Sequence, residues 1–397
     1  MSVKRPVYLD YAATTPADPA VVAAMLPYLG PEGCFANPAS VTHAAGRAAR
    51  KAVEAARAEI AALVGAEARA IIFTSGATES DNLALKGVVR HAGAKAHLVT
   101  DRIEHKAVLD TAHELEREGH PVTYIAPGPD GRIGADALRA AIRADTALVS
   151  IMLVNNEIGV IQDIAALGAI CRERGVLFHV DAAQGAGKLP IDLAELPVDL
   201  MSFSAHKLYG PKGIGALYVR DAPEVRLDPM MHGGGHECGW RSGTLATHQI
   251  VGMGRAFAIA GERLSEDAAH CRRLTERLRG DLLALGETDV NGPDGDHRAA
   301  HILNLSFARV VNETLLYFLT DVSASTGSAC SSASRAPSYV LKAIGCSDAR
   351  ARASLRLSVG RFTTMEEVEF AIGHIGAAVA RVRGMAPAED RRESAAG

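Results

Sequence analysis

Val176-Leu177-Phe178-His179-Val180-Asp181-Ala182-Ala183-Gln184 and Leu200-Met201-Ser202-Phe203-Ser204-Ala205-His206-Lys207 carry the architecture of this chain. Each begins as a short apolar run, the pattern of a strand buried on both faces. Each then ends on reactive side chains, a carboxylate at Asp181 and an amine at Lys207. Similar runs occur at 70–74, 97–100, 121–126, 147–154 and 215–219. The stretches 41–64, 78–92, 105–119, 134–144 and 162–174 have helical patterns, the first dominated by Ala, Arg and Glu. Such alternation predicts an α/β fold around a mostly parallel seven-stranded sheet covered on both faces. Ligands of such sheets sit beyond the carboxyl ends of the strands, where Asp181 and Lys207 fall.

The pattern changes after about residue 248. A long helical stretch reaches about 285, followed by a strand at 301–307, a helix around 313–320 and an amphipathic helix near 364–383. The expected division is a large domain over 17–262, a smaller α+β domain from 1–16 with 263–385, and a polar tail over 386–397. A length of 397 residues suits two domains. A net charge of −4 predicts no broad basic surface for nucleic acid or membrane. No apolar run approaches the roughly 18–20 residues that span a bilayer. The N-terminus has no signal-peptide core, so the expected location is the cytoplasm. Six scattered cysteines without a C-x-x-C pair argue against a zinc site or a disulfide framework.

Several motifs add chemistry at strand ends. Thr74 to Ser80 follows a strand and opens a helix, and its small residues let backbone N–H groups approach an anion, with the Thr78 hydroxyl in reach; an ordinary helix start reads the same way. Glu104-His105-Lys106 starts another helix, and a histidine there is suited to proton exchange. Asn156 and Gln184 end two strands and carry side-chain donors. His232 to His236 with Arg241 to Thr244 form a Gly-rich polar loop, read either as a mobile active-site segment, with Thr244 reaching a phosphate, or as a plain loop. Cys330 sits among small residues, Thr326 to Ser334, which have little to pack; an exposed reactive thiol and a small buried residue in a tight turn are equally open readings. Arg356, in the alternating Ser354 to Ser358, is suited to grip a carboxylate if it faces a cleft. Taken together, a lysine, a strand-end carboxylate and an anion-binding helix start are what pyridoxal phosphate requires. The amine condenses with its aldehyde, the carboxylate keeps its ring nitrogen protonated, and His206 is a further phosphate donor.

Over nearly its whole length the chain resembles the pyridoxal-phosphate cysteine desulfurases of the iron–sulfur cluster assembly type. The matching stretches include Tyr8 to Pro16, Asn37 to Ser40, Thr74 to Asn82, Glu104 to Thr111, Val154 to Ile164, His179 to Gln184, Ser202 to Gly215, Gly233 to Thr244 and Gly327 to Ser334. The resemblance implies a fold-type-I homodimer with active sites at the subunit interface. It implies Lys207 as the cofactor lysine, Asp181 as the ring-nitrogen partner and His105 as a stacked proton carrier. Ala77, Thr78, Ser204 and His206 would hold the phosphate with Thr244 of the other subunit. Asn156 and Gln184 would flank the phenolic oxygen, and Asn37 and Arg356 would bind the substrate carboxylate.

The implied reaction converts L-cysteine to L-alanine. Lys207 removes the α-proton, the Cys330 thiolate takes the substrate sulfur, and a persulfide passes to an acceptor such as an iron–sulfur scaffold or a thiolation carrier. No resident metal is implied, although Cys330 would transiently ligate a 2Fe-2S cluster during transfer. A free thiol has a pKa of about 8.5, so His105 is a candidate acceptor for its proton. The chain departs from the family pattern at Ala183, Ala205, Cys238 and Trp240, and its tail is short. Neighbouring readings are a selenocysteine lyase or an aminotransferase of the same fold, which does not need Cys330, and a desulfurase dedicated to tRNA or DNA thiolation. A catalytically idle binding partner would not need the intact set.

Overall fold

The computed structural model describes residues 3–326 and 336–385. Its strands are β1 (Val7–Tyr8), β2 (Ile71–Thr74), β3 (His97–Asp101), β4 (Val122–Ile125), β5 (Thr146–Ser150), β6 (Leu177–Asp181), β7 (Leu200–Ser204), β8 (Gly215–Val219), β9 (Thr288–Val290), β10 (Ile302–Phe307), β11 (Val322–Ser323) and β12 (Ser354–Ser358). The helices used below are α1 (Pro19–Met25), α2 (Ala44–Leu63), α3 (Ala77–His91), α4 (Lys106–Arg117), α5 (Ala135–Ala141), α6 (Ile164–Glu173) and α7 (Thr247–Leu283). Four more follow: α8 (Asn312–Phe318), α9 (Tyr339–Ala343), α10 (Asp348–Arg352) and α11 (Met365–Met385).

Among the described residues the largest sheet has seven strands in the order β2-β8-β7-β6-β5-β3-β4. They are the seven apolar runs of the sequence. β3 to β7 pair in parallel, whereas β8 runs antiparallel to both β2 and β7. Side chains alternate between two faces. Ile71, Phe73, Val99, Val149, Met201 and Phe203 enter the core that also holds Val53, Ile60, Met253 and Phe257 of α2 and α7. Ile72, Leu98, Leu148, Leu200 and Leu217 enter the opposite core with Leu83 and Leu85 of α3 and Val108 and Leu115 of α4. Each such side chain contributes about 1.5–3 kcal/mol by burial, so a strand shifted by one residue would forfeit both faces at once.

A third core lies elsewhere, from Val7, Leu9, Leu303, Leu305, Leu355, Leu357, Val368 and Ile375. Two small sheets serve it, β12-β10-β9 and the parallel pair β1-β11. α7 links the cores: Phe257 and Ala260 belong to the first, Leu274, Leu278 and Leu282 to the third. The run expected as one strand over 147–154 leaves the sheet after Ser150. Its next residues still bond to β6, Ile151 N to His179 O and Leu153 N to Asp181 O, before the chain turns at Asn155. Among the described residues no helix is long and apolar enough to cross a membrane.

Candidate active site

A cavity of about 540 Å³ opens at the carboxyl ends of the central strands. Parallel pairing sets Asp181 of β6 opposite Ser202 of β7, so the residues that follow both strands emerge at the same edge. Gly215 permits a close backbone approach here. A Cβ there would lie 2.5 Å from Phe203 O and 2.6 Å from Gly76 Cα, so any larger residue would push the start of α3 away from β7.

Around this edge the structure gathers Ala77, Thr78, His105, Asn156, Asp181, Gln184, Ser204, His206, Lys207 and Arg356. Thr244 and Asn37 do not line the cavity of the single chain; the Asn37 side chain instead accepts from Ala39 N at 2.9 Å. Cys330 lies outside the described residues. The Gly-rich loop is tied down at Glu237 and Arg241. Arg57 and Glu237 form a buried pair at 2.8 Å, Glu237 also accepts from Phe73 N at 2.7 Å, and Arg241 pairs with Glu79 at 2.8 Å. Cys238 in this loop is an exposed thiol, unlike buried Cys171 and Cys271.

Lys207 Nζ donates to Ala12 O at 2.7 Å and Ala13 O at 2.8 Å, so neutral carbonyls hold it at the cavity wall. Asp181 is 5% exposed and its Oδ1 accepts from Ala183 N at 2.8 Å. Burial pushes its carboxyl upward, opposed by His105, the Ala183 N–H and Lys207. His105 caps α4, its Nδ1 accepting from Ala107 N at 3.1 Å. That bond puts the hydrogen of the neutral ring on Nε2. Burial is the main cause holding the ring below the ordinary histidine range, with Asp181 pulling it up and Lys207 down. To take a thiol proton, the ring would give up either its cap or its Nε2 hydrogen. His206, held by Thr14 Oγ1 at 3.0 Å, is pushed down to about 4 by burial first and then by Lys207, Lys212 and Lys188. Arg356 bonds Asp10 Oδ1 at 2.6 Å and Asn156 O at 2.8 Å and is 2% exposed.

The site suits pyridoxal phosphate. Gly76, the N-cap of α3, has no side chain to cap the first N–H groups, and Ala77 and Thr78 of this helix start line the cavity. Asn156 Oδ1 is buried without a hydrogen-bond partner, an acceptor that a ligand N–H or O–H would satisfy. The sequence did not announce Ala12, Ala13 and Thr14, whose carbonyls and hydroxyl meet Lys207 and His206, nor Tyr339, whose hydroxyl donates to Glu104 O at 2.7 Å. The segment holding Ala12 to Thr14 has no periodic pattern; its one signal is that Tyr8 to Pro16 matches the desulfurases.

The aminotransferase class-V family model matches residues 7–370. A cysteine desulfurase IscS of Mannheimia succiniciproducens is 57% identical over 389 residues, 98% of this chain and 96% of the relative. Among solved structures, a NifS-like protein is 36% identical with a TM-score of 0.88, covering 95% of this chain and all of the other. A second, described as SspA in complex with cysteine, is 40% identical with a TM-score of 0.80, covering 91% of this chain and all of the other. With Lys207, Asp181, His105 and the uncapped start of α3 around one cavity, the chain belongs to the aminotransferase class-V family, among its IscS-like, pyridoxal-phosphate-dependent cysteine desulfurases.

Proposed function

We propose that this cavity is where L-cysteine loses its sulfur, with Lys207 as base, Arg356 as carboxylate grip and Cys330 as sulfur acceptor. The observation that carries the reading is the convergence of Lys207, Asp181 and the uncapped α3 N-terminus on one cavity. Pyridoxal phosphate, when bound, supplies the aldehyde that captures the amino acid and the ring that takes up electrons from its α-carbon. Ala77, Thr78, Ser204 and His206 would hold its phosphate, Asp181 its ring nitrogen, and Asn156 and Gln184 its phenolic oxygen. Lys207 accepts the α-proton at Nζ once its amine is uncharged, and the Ala12 and Ala13 carbonyls keep it in line. Neutral His105 offers an Nε2 hydrogen to the cavity. Asp10 holds the Arg356 guanidinium so that it meets a carboxylate in one orientation.

The relatives named for cysteine desulfurase and for a cysteine complex support L-cysteine as substrate and a protein as sulfur acceptor, for iron–sulfur assembly or thiolation. A homodimer is supported by exposed apolar side chains at Val22, Leu26, Leu29, Phe35 and Val41 beside Asn37, which together with Thr244 would complete a partner's site. The separate third core supports the division into 17–262 and 1–16 with 263–385. A cytoplasmic location accords with the unpaired cysteine pattern. Alanine formed from L-cysteine, and the sulfide that an added thiol reductant then frees from the persulfide, measured for wild type and Cys330→Ser, test the function. Loss of sulfide release in the variant is expected. Undiminished alanine and sulfide release would favour the selenocysteine lyase reading, which does not need Cys330.

A further inference from the structure

Gln184 lines the cavity at Lys207 and hydrogen-bonds to Lys188 and His301, which line a second one. This second cavity, of about 200 Å³, lies toward the third core and is lined by Lys188, Tyr209, Asp267, Cys271, Arg298 and His301 among others. Gln184 Nε2 donates to Ala12 O at 2.7 Å, the carbonyl that also receives Lys207 Nζ. Its Oε1 points the other way and accepts from Lys188 Nζ at 3.3 Å, with His301 Nε2 3.5 Å away.

A glutamine amide exchanges donor and acceptor when it turns over, so its partners decide which end faces which way. The Ala12 carbonyl only accepts and a lysine ammonium only donates. Between them a single orientation survives, with Nε2 toward the cavity at Lys207. One Nε2 hydrogen goes to Ala12 and the second remains for a group beside Lys207.

We propose that Lys188 is a positioning residue acting through Gln184: its bond to Oε1 fixes an N–H donor at the cavity and steadies the Ala12 carbonyl that holds Lys207. The proposal rests on reading that cavity as the pyridoxal phosphate site. Removal from water, with the charge of Lys207, pushes the Lys188 amine down to about 7, while Cys271 pulls it up. The other ionisable groups around the second cavity are Asp267, Arg272, Asp296, Arg298 and His301, with Tyr11, Tyr209 and the Cys271 thiol. Both forms of Lys188 donate, but the ammonium does so without alternative.

The test is the pH midpoint of the holoenzyme's visible absorbance band in wild type, Lys188→Met, Gln184→Met and the double variant. An N–H beside the cofactor's phenolic oxygen favours its ionised form, so Lys188→Met should raise the midpoint by about 0.5 unit or more. In the Gln184→Met background the same change should add less than about 0.2 unit, because the pathway is already cut. An equal shift in both backgrounds would mean charge acting through space and would overturn the proposal, as would no shift. Should Lys188→Met fail to fold, Lys188→Gln decides: its amide still donates, so the midpoint should stay within about 0.2 unit of wild type. A midpoint displaced as in Gln184→Met would overturn the proposal. A wild type without any visible band would overturn the cofactor reading as well, whereas a band indifferent to Lys188 sinks this proposal alone.

Discussion

The two walls of the cavity are built differently. One wall consists of residues that directly follow sheet strands: His105 after β3, Asp181 and Gln184 at the end of β6, Ser204, His206 and Lys207 at the end of β7. The other comes from segments distant in sequence, Ala12 to Thr14, Tyr339 and Arg356. The first wall supplies the reactive groups; the second aligns them. Contacts across the gap are specific: Lys207 on Ala12 and Ala13, His206 on Thr14, Arg356 on the Asn156 carbonyl, and Ser338 Oγ on Glu157 Oε2 at 2.5 Å. Damage to the strand-end wall should therefore remove activity and spare the fold, whereas damage to the opposite wall should affect both.

Lys207→Ala is the largest expected effect, at least about 10³-fold in alanine formation, since no other amine occupies its place. The far-ultraviolet spectrum should not change; a variant that loses its fold instead would erase the contrast between the walls. Asp181→Asn keeps an acceptor for Ala183 N but removes the charge, and a loss of about 10²-fold or more at near-wild-type stability is expected. Arg356→Met, on the aligning wall, should cost stability too. It strands Asp10, which is partly in water, so about 2–4 kcal/mol in urea titration is expected together with a raised KM for cysteine.

A smaller effect separates the sheet interior from both walls. The His179 ring is fully buried between Ser150 Oγ at 2.8 Å and Ser202 Oγ at 2.9 Å, and burial pushes it down to about 3. The unfolded chain takes a proton below about 6.5 that the folded ring refuses down to about 3. Stability from this group is therefore complete above 6.5 and declines as pH falls. At pH 5 the deficit is about 2 kcal/mol, and His179→Asn should flatten that part of the pH profile of urea midpoints. Glu157 acts with the opposite sign. Burial raises it to about 7, so the folded state keeps a proton that the unfolded chain loses above about 4, and stability falls as pH rises between them. Glu157→Gln should flatten that fall, which amounts to about 2–3 kcal/mol between pH 5 and pH 8, an effect comparable to that of His179.

The same contrast governs how much of the molecule its sequence reveals. The seven large-sheet strands and the helices between them follow from apolar runs because each strand is buried on both faces, as Phe73 and Ile72 show by entering opposite cores. Lys207, Asp181 and His105 were legible because they directly follow such runs. β1, β9, β11, α9 and α10 were not; at two to five residues they are too short for a period to register. The antiparallel direction of β8 was also hidden, since its pattern alone is that of any buried strand. Ala12 and Ala13 act through backbone carbonyls, which no side-chain type can announce.

The central claim is that Lys207, held by the carbonyls of Ala12 and Ala13, is the amine that carries the cofactor. Borohydride reduction of the holoprotein followed by peptide mass mapping tests it directly. The expected result is one reduced pyridoxyl group per chain, on Lys207. The same group on Lys188, Lys212 or Lys106, or on no lysine, would contradict it.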